Sequence, residues 1–300
     1  MRFFTAFLTL TLITGTVFSA PKIKPQDNTI EFPEKDKEVQ GIPLKAKEAI
    51  IYYPSGKLQV GVLAKDFNLC GATFPAGETL IFYETGELKE GMMKDDLVIQ
   101  AVPFKGGKPI LFYANGYIER GILAMDSIVQ GMKVAKLSLL NFYSNGNLMG
   151  AKPLEKANLQ GAIFGTEKIV SFFENGNVKK GTLAEDSSVQ GAVFKAKSSL
   201  DFFENGKVKA GTLGADSVLH GAVFKAKTTL EFFDNGHVKT GTLGADSQIG
   251  EIVYKTGKAL KFYPNGKVET GTLAKDAVIQ GKTIKAGKAV TFKDDGTFKK

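Results

Sequence analysis

Apolar and polar residues alternate in short runs along most of the chain, and turn-forming residues separate the runs. Near residue 230, Leu230, Glu231 and Phe232 alternate, turn formers follow at 234–236, and the alternation resumes at Val238. Alternation of period two on both sides of a turn predicts a β-hairpin. No window has the 3.6-residue period of an amphipathic helix. The pattern therefore predicts an all-β fold.

The spacing of the apolar residues favours a three-residue hairpin loop. A two-residue loop would place Phe232 opposite Lys239, whereas a three-residue loop pairs Phe232 with Val238 and keeps the apolar residues on one face. In two copies of the pattern, Pro54 or Pro264 occupies the first loop position, where a type I turn needs a φ near −65°. We expect the loop glycine to adopt the left-handed conformation.

The hairpin pattern recurs every 30 residues without a slip in register. A glycine marks the same phase of each copy, at Gly56, Gly86, Gly116, Gly146, Gly176, Gly206, Gly236, Gly266 and Gly296. Asparagine precedes it in the six central copies, from Asn115 to Asn265. Such spacing indicates a repeat array. We predict a capping segment at residues 21–40 and one array of about nine units at 41–300, with no second domain.

Each copy offers about three extended segments, one of them running through Ile249 to Tyr254. A single copy has too few large apolar side chains to offset the conformational entropy of thirty ordered residues. Stability must come from stacking between copies, with polar residues at 33–38 and 293–295 protecting the two ends. Either an open sheet of hairpins or a coiled β-solenoid satisfies this requirement.

The N-terminal residues 1–20 have the features of a secretory signal peptide. Arg2 supplies a short positive region, residues 3–18 are apolar and uncharged, and small residues permit cleavage after Ser19. The apolar run is shorter than the roughly 20 residues of a membrane-spanning helix, which disfavours an uncleaved anchor. We therefore predict an exported protein, periplasmic, surface-bound or secreted, with no transmembrane segment after signal removal.

The composition limits the possible chemistry. Lys and Arg outnumber Asp and Glu by 39 to 31, and only Arg2 and Arg120 are arginines. Sequence-specific nucleic-acid sites favour arginine, so we expect no specific nucleic-acid binding and a solubilising lysine surface. The single cysteine, Cys70, excludes an internal disulfide, and His220 and His237 are too few for an ordinary zinc centre.

A short motif resembles a known family. In the copy with Phe202, Phe203 and the Asn205-Gly206 turn, Val208, Gly211 and Gly221 follow at fixed distances. This arrangement resembles the MORN repeat and its bacterial variant, although the unit of 30 residues is longer than the usual repeat of about 23. The resemblance implies stacked hairpins that serve as a scaffold or a contact surface, without catalytic residues, and the extra length suggests an additional short strand.

Seven aspartates share one phase of the repeat. They are Asp66, Asp96, Asp126, Asp186, Asp216, Asp246 and Asp276. Stacking would align their carboxylates as in a calcium-binding solenoid. Because no second carboxylate row accompanies them, the sequence favours the alternative that each aspartate caps the backbone of its own turn.

An aromatic row is the candidate partner surface. It consists of Tyr53, Tyr83, Tyr113, Tyr143, Phe173, Phe203, Phe233 and Tyr263, on the face opposite Phe232. If that face is exposed, rings in series can stack on sugars or on an apolar partner. If it is covered, the rings form a second core layer, which the sequence favours.

Two lysine rows complete the pattern. One contains Lys45, Lys105, Lys195, Lys225, Lys255 and Lys285, and the other contains Lys89, Lys179, Lys209, Lys239 and Lys299. A lysine ladder can bind an anionic polymer or anionic headgroups, although solvated lysines that discourage edge pairing are the favoured interpretation.

No nucleotide-binding, metalloprotease or paired-cysteine motif is present, and no cofactor is expected. The fourth copy deviates, with Ala151 in place of glycine and Pro153 in place of leucine, but these changes create no acid-base pair. The sequence predicts an exported, non-enzymatic scaffold or protein-interaction surface of the cell envelope, whose partner is another protein or envelope component. The alternative is a carbohydrate or polyanion binder that uses the aromatic or lysine rows.

Overall fold

The computed structural model describes residues 28–299, and the predicted signal peptide lies outside this range. The described residues contain 36 short β-strands and no helix. Eighteen strands form one open antiparallel sheet, and the other eighteen form nine small two-stranded hairpins. The all-β prediction is confirmed, and the array is an open sheet of hairpins.

Each full copy contributes two consecutive strands to the large sheet, here called the main sheet. Its strands, in spatial order, are β1 (Thr29–Glu31), β4 (Ile50–Tyr52), β5 (Leu58–Val62), β8 (Thr79–Phe82), β9 (Leu88–Met92), β12 (Pro109–Phe112), β13 (Ile118–Ile122), β16 (Leu139–Phe142), β17 (Leu148–Ala151), β20 (Val170–Phe172), β21 (Val178–Thr182), β24 (Ser199–Phe202), β25 (Val208–Thr212), β28 (Thr229–Phe232), β29 (Val238–Thr242), β32 (Ala259–Phe262), β33 (Val268–Thr272) and β36 (Ala289–Thr291). At about 4.8 Å per strand, the main sheet is on the order of 80 Å long.

Between successive main-sheet hairpins, each copy forms a small hairpin. The paired strands are β2 (Lys37–Val39) with β3 (Ile42–Leu44), β6 (Phe67–Leu69) with β7 (Ala72–Phe74), β10 (Leu97–Ile99) with β11 (Val102–Phe104), β14 (Ser127–Val129) with β15 (Met132–Val134), β18 (Ala157–Leu159) with β19 (Ala162–Phe164), β22 (Ser187–Val189) with β23 (Ala192–Phe194), β26 (Ser217–Leu219) with β27 (Ala222–Phe224), β30 (Ser247–Ile249) with β31 (Ile252–Tyr254), and β34 (Ala277–Ile279) with β35 (Lys282–Ile284). The additional short strand suggested by the unit length is therefore present.

The main-sheet hairpins close through the predicted three-residue loop. Phe232 pairs with Val238, the Phe233 N–H donates to the His237 carbonyl at 2.8 Å, and the Gly236 N–H donates to the Phe233 carbonyl at 2.9 Å. Gly236 has a φ of 90°, the left-handed conformation that glycine adopts without steric cost. The predicted loop length and the role of the glycine are confirmed.

A second irregularity, one residue further on, was not predicted. Glu231 pairs with Thr240, so Lys239 is an extra residue that forms a β-bulge. The bulge shifts the inward position of the second strand from Thr240 to Gly241, which is buried and lies opposite Leu260 of the next main-sheet strand. The inner face of the main sheet thus presents a row of glycines.

The small hairpins correct the expectation of three extended segments per copy. The stretch through Ile249 to Tyr254 is two strands, joined by a two-residue turn at 250–251. In the preceding copy, both turn residues, His220 and Gly221, have positive φ, at 50° and 78°. Two consecutive positive φ values define the type I′ turn of tight hairpins. Glutamine, which usually occupies the first position, is not a typical residue for it, and the turn escaped prediction for that reason.

The core lies between the inner face of the main sheet and the small hairpins. Leu230, Phe232, Val238 and Leu243 from the main sheet are buried, as is Phe224 from the small hairpin. Phe224 also forms a backbone bridge with Leu243, which holds the small hairpin over the sheet. The same positions are buried in the other copies, so a single continuous core runs along the array.

The ends of the main sheet are β1 and β36. Residues 33–38, expected to blunt the first edge, instead lead from β1 into β2. Glu31 of β1 accepts hydrogen bonds from Lys37 at 2.7 Å and from the Tyr52 hydroxyl at 3.0 Å. At the other end, the turn with Asp294 and Asp295 closes in the ordinary way, with the Gly296 N–H donating to the Lys293 carbonyl at 2.9 Å.

Candidate binding surface

The face of the main sheet that points away from the small hairpins is called the outer face. In residues 28–299, no strand or hairpin covers it. Directly opposed residues form one cross-strand row along this face. The first members of the row are Ile30, Ile51, Val60, Ile81, Glu90, Leu111, Arg120 and Asn141. The row therefore begins with four aliphatic residues and becomes polar toward the middle of the array.

The eight candidate aromatic residues all lie beside this row, at the last position before each main-sheet turn. All eight are half-buried, so the second core layer favoured by the sequence is not formed. The physical reason is that the side chain lies across the neighbouring strand: Tyr53 reaches past β5 and donates its hydroxyl to the Phe82 carbonyl at 2.8 Å. One face of the ring thus packs on the backbone of the neighbouring strand, and no second core layer is needed to cover it.

The tyrosines connect consecutive copies. The hydroxyls of Tyr83, Tyr113, Tyr143 and Tyr263 donate to carbonyls 29 residues further on, at 2.8 to 3.0 Å. Partial burial raises the pKa of Tyr83 and of Tyr113, and the nearby carboxylate of Glu119 raises both further. The phenols of Tyr83 and Tyr113 are therefore neutral at physiological pH and act as donors. Phe173, Phe203 and Phe233 occupy the same position without a hydroxyl.

Lysines lie over several of these rings. The Nζ atoms of Lys89, Lys179 and Lys209 are 5.4, 5.6 and 5.8 Å from the ring centroids of Tyr83, Phe173 and Phe203. These distances are within the range of cation–π contacts. The lysine row therefore lies on the outer face, next to the aromatic row rather than apart from it.

The second half of the outer face carries charges of both signs. Lys180 pairs with Asp201 at 3.3 Å, and Lys239 pairs with Glu231 at 3.6 Å. A groove of about 470 Å³ lies between the rings of Phe203 and Phe233, bordered by lysine and glutamate side chains. The aliphatic first part and the charged second part make the outer face chemically asymmetric, although the backbone repeats.

Asparagines at the main-sheet turns form a ladder along one edge of the array. The Asn205 side chain donates through Nδ2 to the Asp234 carbonyl of the next turn at 2.7 Å and accepts the Lys207 N–H through Oδ1 at 3.1 Å. Asn115, Asn145, Asn175, Asn235 and Asn265 make equivalent bonds. The asparagine thus shapes its own turn and fixes the next one, a role that the turn motif alone did not reveal.

Glutamines at the small-hairpin turns bridge to the same edge. Gln130 accepts the Leu148 N–H through Oε1 at 2.8 Å and donates through Nε2 to the Gly176 carbonyl at 3.0 Å. One side chain therefore joins three successive copies. Equivalent bonds to the residue 18 positions further on are made by Gln40, Gln100, Gln160, Gln190 and Gln280.

The aspartate row caps turns, but not those that contain the aspartates. Oδ1 of Asp216 accepts the Ala226 N–H at 2.6 Å, ten residues later, in the turn that precedes β28. The other six aspartates of the row, and Asp36, cap the equivalent turns. Within residues 28–299, no group of three or more His, Cys, Asp or Glu side chains is placed to hold a metal ion. In the first lysine row, Lys105 and Lys285 pair with the neighbouring aspartates at 2.9 and 2.8 Å.

The two histidines meet at the edge with the asparagine ladder. Their rings are 5.3 Å apart in an edge-to-face arrangement, and Nδ1 of His237 lies 2.8 Å from the Pro264 carbonyl oxygen. Burial lowers the pKa of His220, and the proximity of His237 lowers it further. His220 stands at the position that is glutamine in most copies, and this contact was not foreseen from the separate sequence positions.

One main-sheet hairpin is similar in sequence to a known repeat family. A model of the MORN repeat variant matches residues 255–270, which contain β32, the loop at 264–266 and the start of β33. This segment is similar to the MORN repeat variant, which is consistent with a MORN-like repeat array. MORN-like repeats indicate a binding role. No curated protein matches the chain.

A search of the described residues for membrane-spanning helices found none that is long and apolar enough.

Proposed function

We propose that this MORN-like protein is an exported, non-enzymatic scaffold of the cell envelope that binds a partner protein through the outer face of its first three copies. The observation that carries the proposal is the aliphatic start of the cross-strand row. Ile30, Ile51, Val60 and Ile81 lie side by side on a face that no other described element covers. Ile30 is exposed and the other three are half-buried. A contiguous apolar patch that remains partly accessible is typical of a protein contact site.

The flanking residues support a protein partner. Tyr53, Tyr83 and Tyr113 border the aliphatic row, and their hydroxyls are held by backbone carbonyls. Tyrosine is enriched at interface centres because it gives a large contact area with little side-chain entropy to lose. Ile30 is 57% exposed, so the row continues to the edge of the sheet. The surface is preorganised, since both its strands and its rings are fixed before any partner arrives.

The test uses two substitutions at the same position of the repeat. Ile81→Lys places a charge within the aliphatic row, whereas Ser171→Lys places the same charge at the equivalent position three copies later. The mature protein is immobilised, and envelope extract from its source cells is passed over it. We expect Ile81→Lys to lose partner retention at least tenfold, and Ser171→Lys and raised salt to change it less than twofold. Equal retention by both variants would contradict the proposal.

Export is supported by the apolar, uncharged stretch at residues 3–18 and the small residues that follow it. We expect protein isolated from its native cells to begin at Ala20, and intact-mass measurement to give the mass of residues 20–300. Recovery of the full chain from the cytoplasm would contradict this part of the proposal, while leaving the contact surface to be tested separately.

A second candidate function has its own observation in its favour. In copies five to seven, Phe173, Phe203 and Phe233 lie beside Lys179, Lys209 and Lys239, and the groove between two of the rings is open. Aromatic faces and lysines together suit an acidic polysaccharide. Retention on immobilised heparin should then fall steeply with salt and be weakened by Lys209→Gln. A glycan array that is blank for the wild type would remove carbohydrate binding.

A further inference from the structure

One cavity interrupts the regular edge of the array between the second and third copies. It has a volume of about 460 Å³ and opens to solvent. Its apolar walls come from Leu69, Ala72, Leu88, Ile99 and Phe112. This size and this largely apolar lining are typical of small-molecule sites.

A short side chain lines the opening of this cavity. Cys70 occupies the phase where glutamine stands in most copies, and it lines the cavity. In other copies the glutamine spans from the tip of the small hairpin to the backbone N–H of the residue 18 positions later, as Gln130 does to Leu148. Cysteine is too short to cross that gap, so the space between the two hairpin tips stays open.

The missing side chain also leaves a hydrogen-bonding group at the cavity wall. By the repeat, the N–H that a glutamine at position 70 would contact is that of Leu88, which lines the cavity. A glutamine at position 70 would reach the carbonyl of Gly116, 46 residues further on, as Gln130 reaches that of Gly176. Here the Gly116 carbonyl instead accepts a hydrogen bond from Nε2 of Gln100 at 3.2 Å. The side-chain hydrogen bonds at this edge of the array are thus rearranged around the cavity, and the N–H of Leu88 is the donor at the cavity wall.

We propose that this cavity binds a small, uncharged, largely apolar molecule that carries one hydrogen-bond acceptor. The apolar part would lie between Leu69, Ile99 and Phe112, and the acceptor would take the place of the glutamine Oε1 at the Leu88 N–H. A charged carboxylate ligand is disfavoured because Glu87 borders the opening. The proposal is independent of the contact surface on the outer face, since the cavity lies between the hairpin tips at the edge.

The probe for this site is prodan, an uncharged naphthalene with one carbonyl acceptor. Fluorescence titration of the full mature chain should give one prodan bound per chain. Cys70→Gln restores the side chain present at six other positions of the same phase, so it is compatible with the fold. It should weaken prodan binding at least tenfold without lowering the melting temperature. Cys70→Ser keeps the short side chain and should bind within twofold of the wild type.

A gain-of-site variant provides the matched control. Leu159 and Ala162 repeat the identities of Leu69 and Ala72, so Gln160→Cys should open an equivalent cavity and raise the stoichiometry from one to two. The exposed Cys70 thiol reports occupancy directly. Saturating prodan should slow its alkylation by N-ethylmaleimide at least fivefold. Absence of binding, equal binding by Cys70→Gln, a stoichiometry of one in Gln160→Cys, or unaltered alkylation would each overturn the proposal.

Discussion

The ring of Phe224 packs directly against the backbone of Gly241. A β-carbon at position 241 would lie 2.6 Å from Cδ1 of Phe224, well inside van der Waals contact. The equivalent pairs include Phe104 with Gly121, where the distance would be 2.5 Å. The glycine row is therefore required by packing: the absence of a side chain allows the small hairpin to lie close to the main sheet.

The fourth copy has changed both partners of this contact. Ala151 stands at the glycine phase, and Val134 stands at the aromatic phase; both are buried. An added methyl group on one side accompanies a smaller side chain on the other, which keeps the total volume similar. The deviation of the fourth copy at these two positions is thus a compensated packing pair.

This compensation predicts the outcome of a double-mutant cycle in the seventh copy. Gly241→Ala should destabilise the array by about 1–3 kcal/mol, because the new methyl group displaces the Phe224 ring. Adding Phe224→Val should make the alanine less costly, with a coupling of about 1 kcal/mol in urea unfolding. If the two changes are simply additive, the contact does not govern the choice of residue at 241.

Much of this architecture could be predicted from the sequence. Alternation around the loop at 234–236 was sufficient to predict the strands, the loop length and the pairing of Phe232 with Val238. The bulge at Lys239 was not predictable, because nothing in a single strand shows that Gly241, rather than Thr240, will face the core. Which residue faces the core depends on Phe224. This residue lies in a different hairpin and contacts residue 241 only after the small hairpin has folded.

The candidate surface was predicted less completely. The eight aromatic positions were identified, but their half-burial was not, because it depends on each ring lying across the neighbouring strand, which the alternation pattern does not show. The aliphatic start of the cross-strand row was also missed. Ile30, Ile51 and Val60 belong to different phases of the repeat, and only the strand pairing makes them neighbours.

The asparagine ladder predicts a graded response at a single turn. Asn205→Asp keeps the Oδ1 acceptor for the Lys207 N–H but loses the donor to the Asp234 carbonyl, whereas Asn205→Ala loses both. We expect losses of about 1 kcal/mol for the aspartate and about twice that for the alanine, since each hydrogen bond contributes about 1 kcal/mol. Urea unfolding measures both. Equal losses would mean that the bond between copies contributes nothing.

The tyrosine hydroxyls predict opposite effects of two reciprocal substitutions. Tyr113→Phe removes the donor to the Phe142 carbonyl and should cost about 1 kcal/mol. Phe203→Tyr places a hydroxyl at the equivalent position, from which it should reach the Phe232 carbonyl and stabilise the protein by a similar amount. Thermal unfolding of the two single variants and of their combination tests this; a loss of stability in Phe203→Tyr would contradict the equivalence of the copies.

The histidine contact predicts a loss of stability in acid. Burial and then His237 hold the pKa of His220 below its ordinary value of 6.5. Between the lowered folded-state pKa and about 6.5, the unfolded chain binds more protons than the folded chain. The free energy of unfolding therefore decreases as the pH falls through 6.5, and it levels off below the folded-state pKa. His220→Gln should remove this component, because glutamine stands at the same phase in the preceding copy, at Gln190, and does not titrate. Urea unfolding at pH 7.5 and 5.0 gives the comparison: the stability of the wild type relative to His220→Gln should be lower at pH 5.0. An identical pH dependence in both proteins would show that the lowered pKa has no consequence for folding.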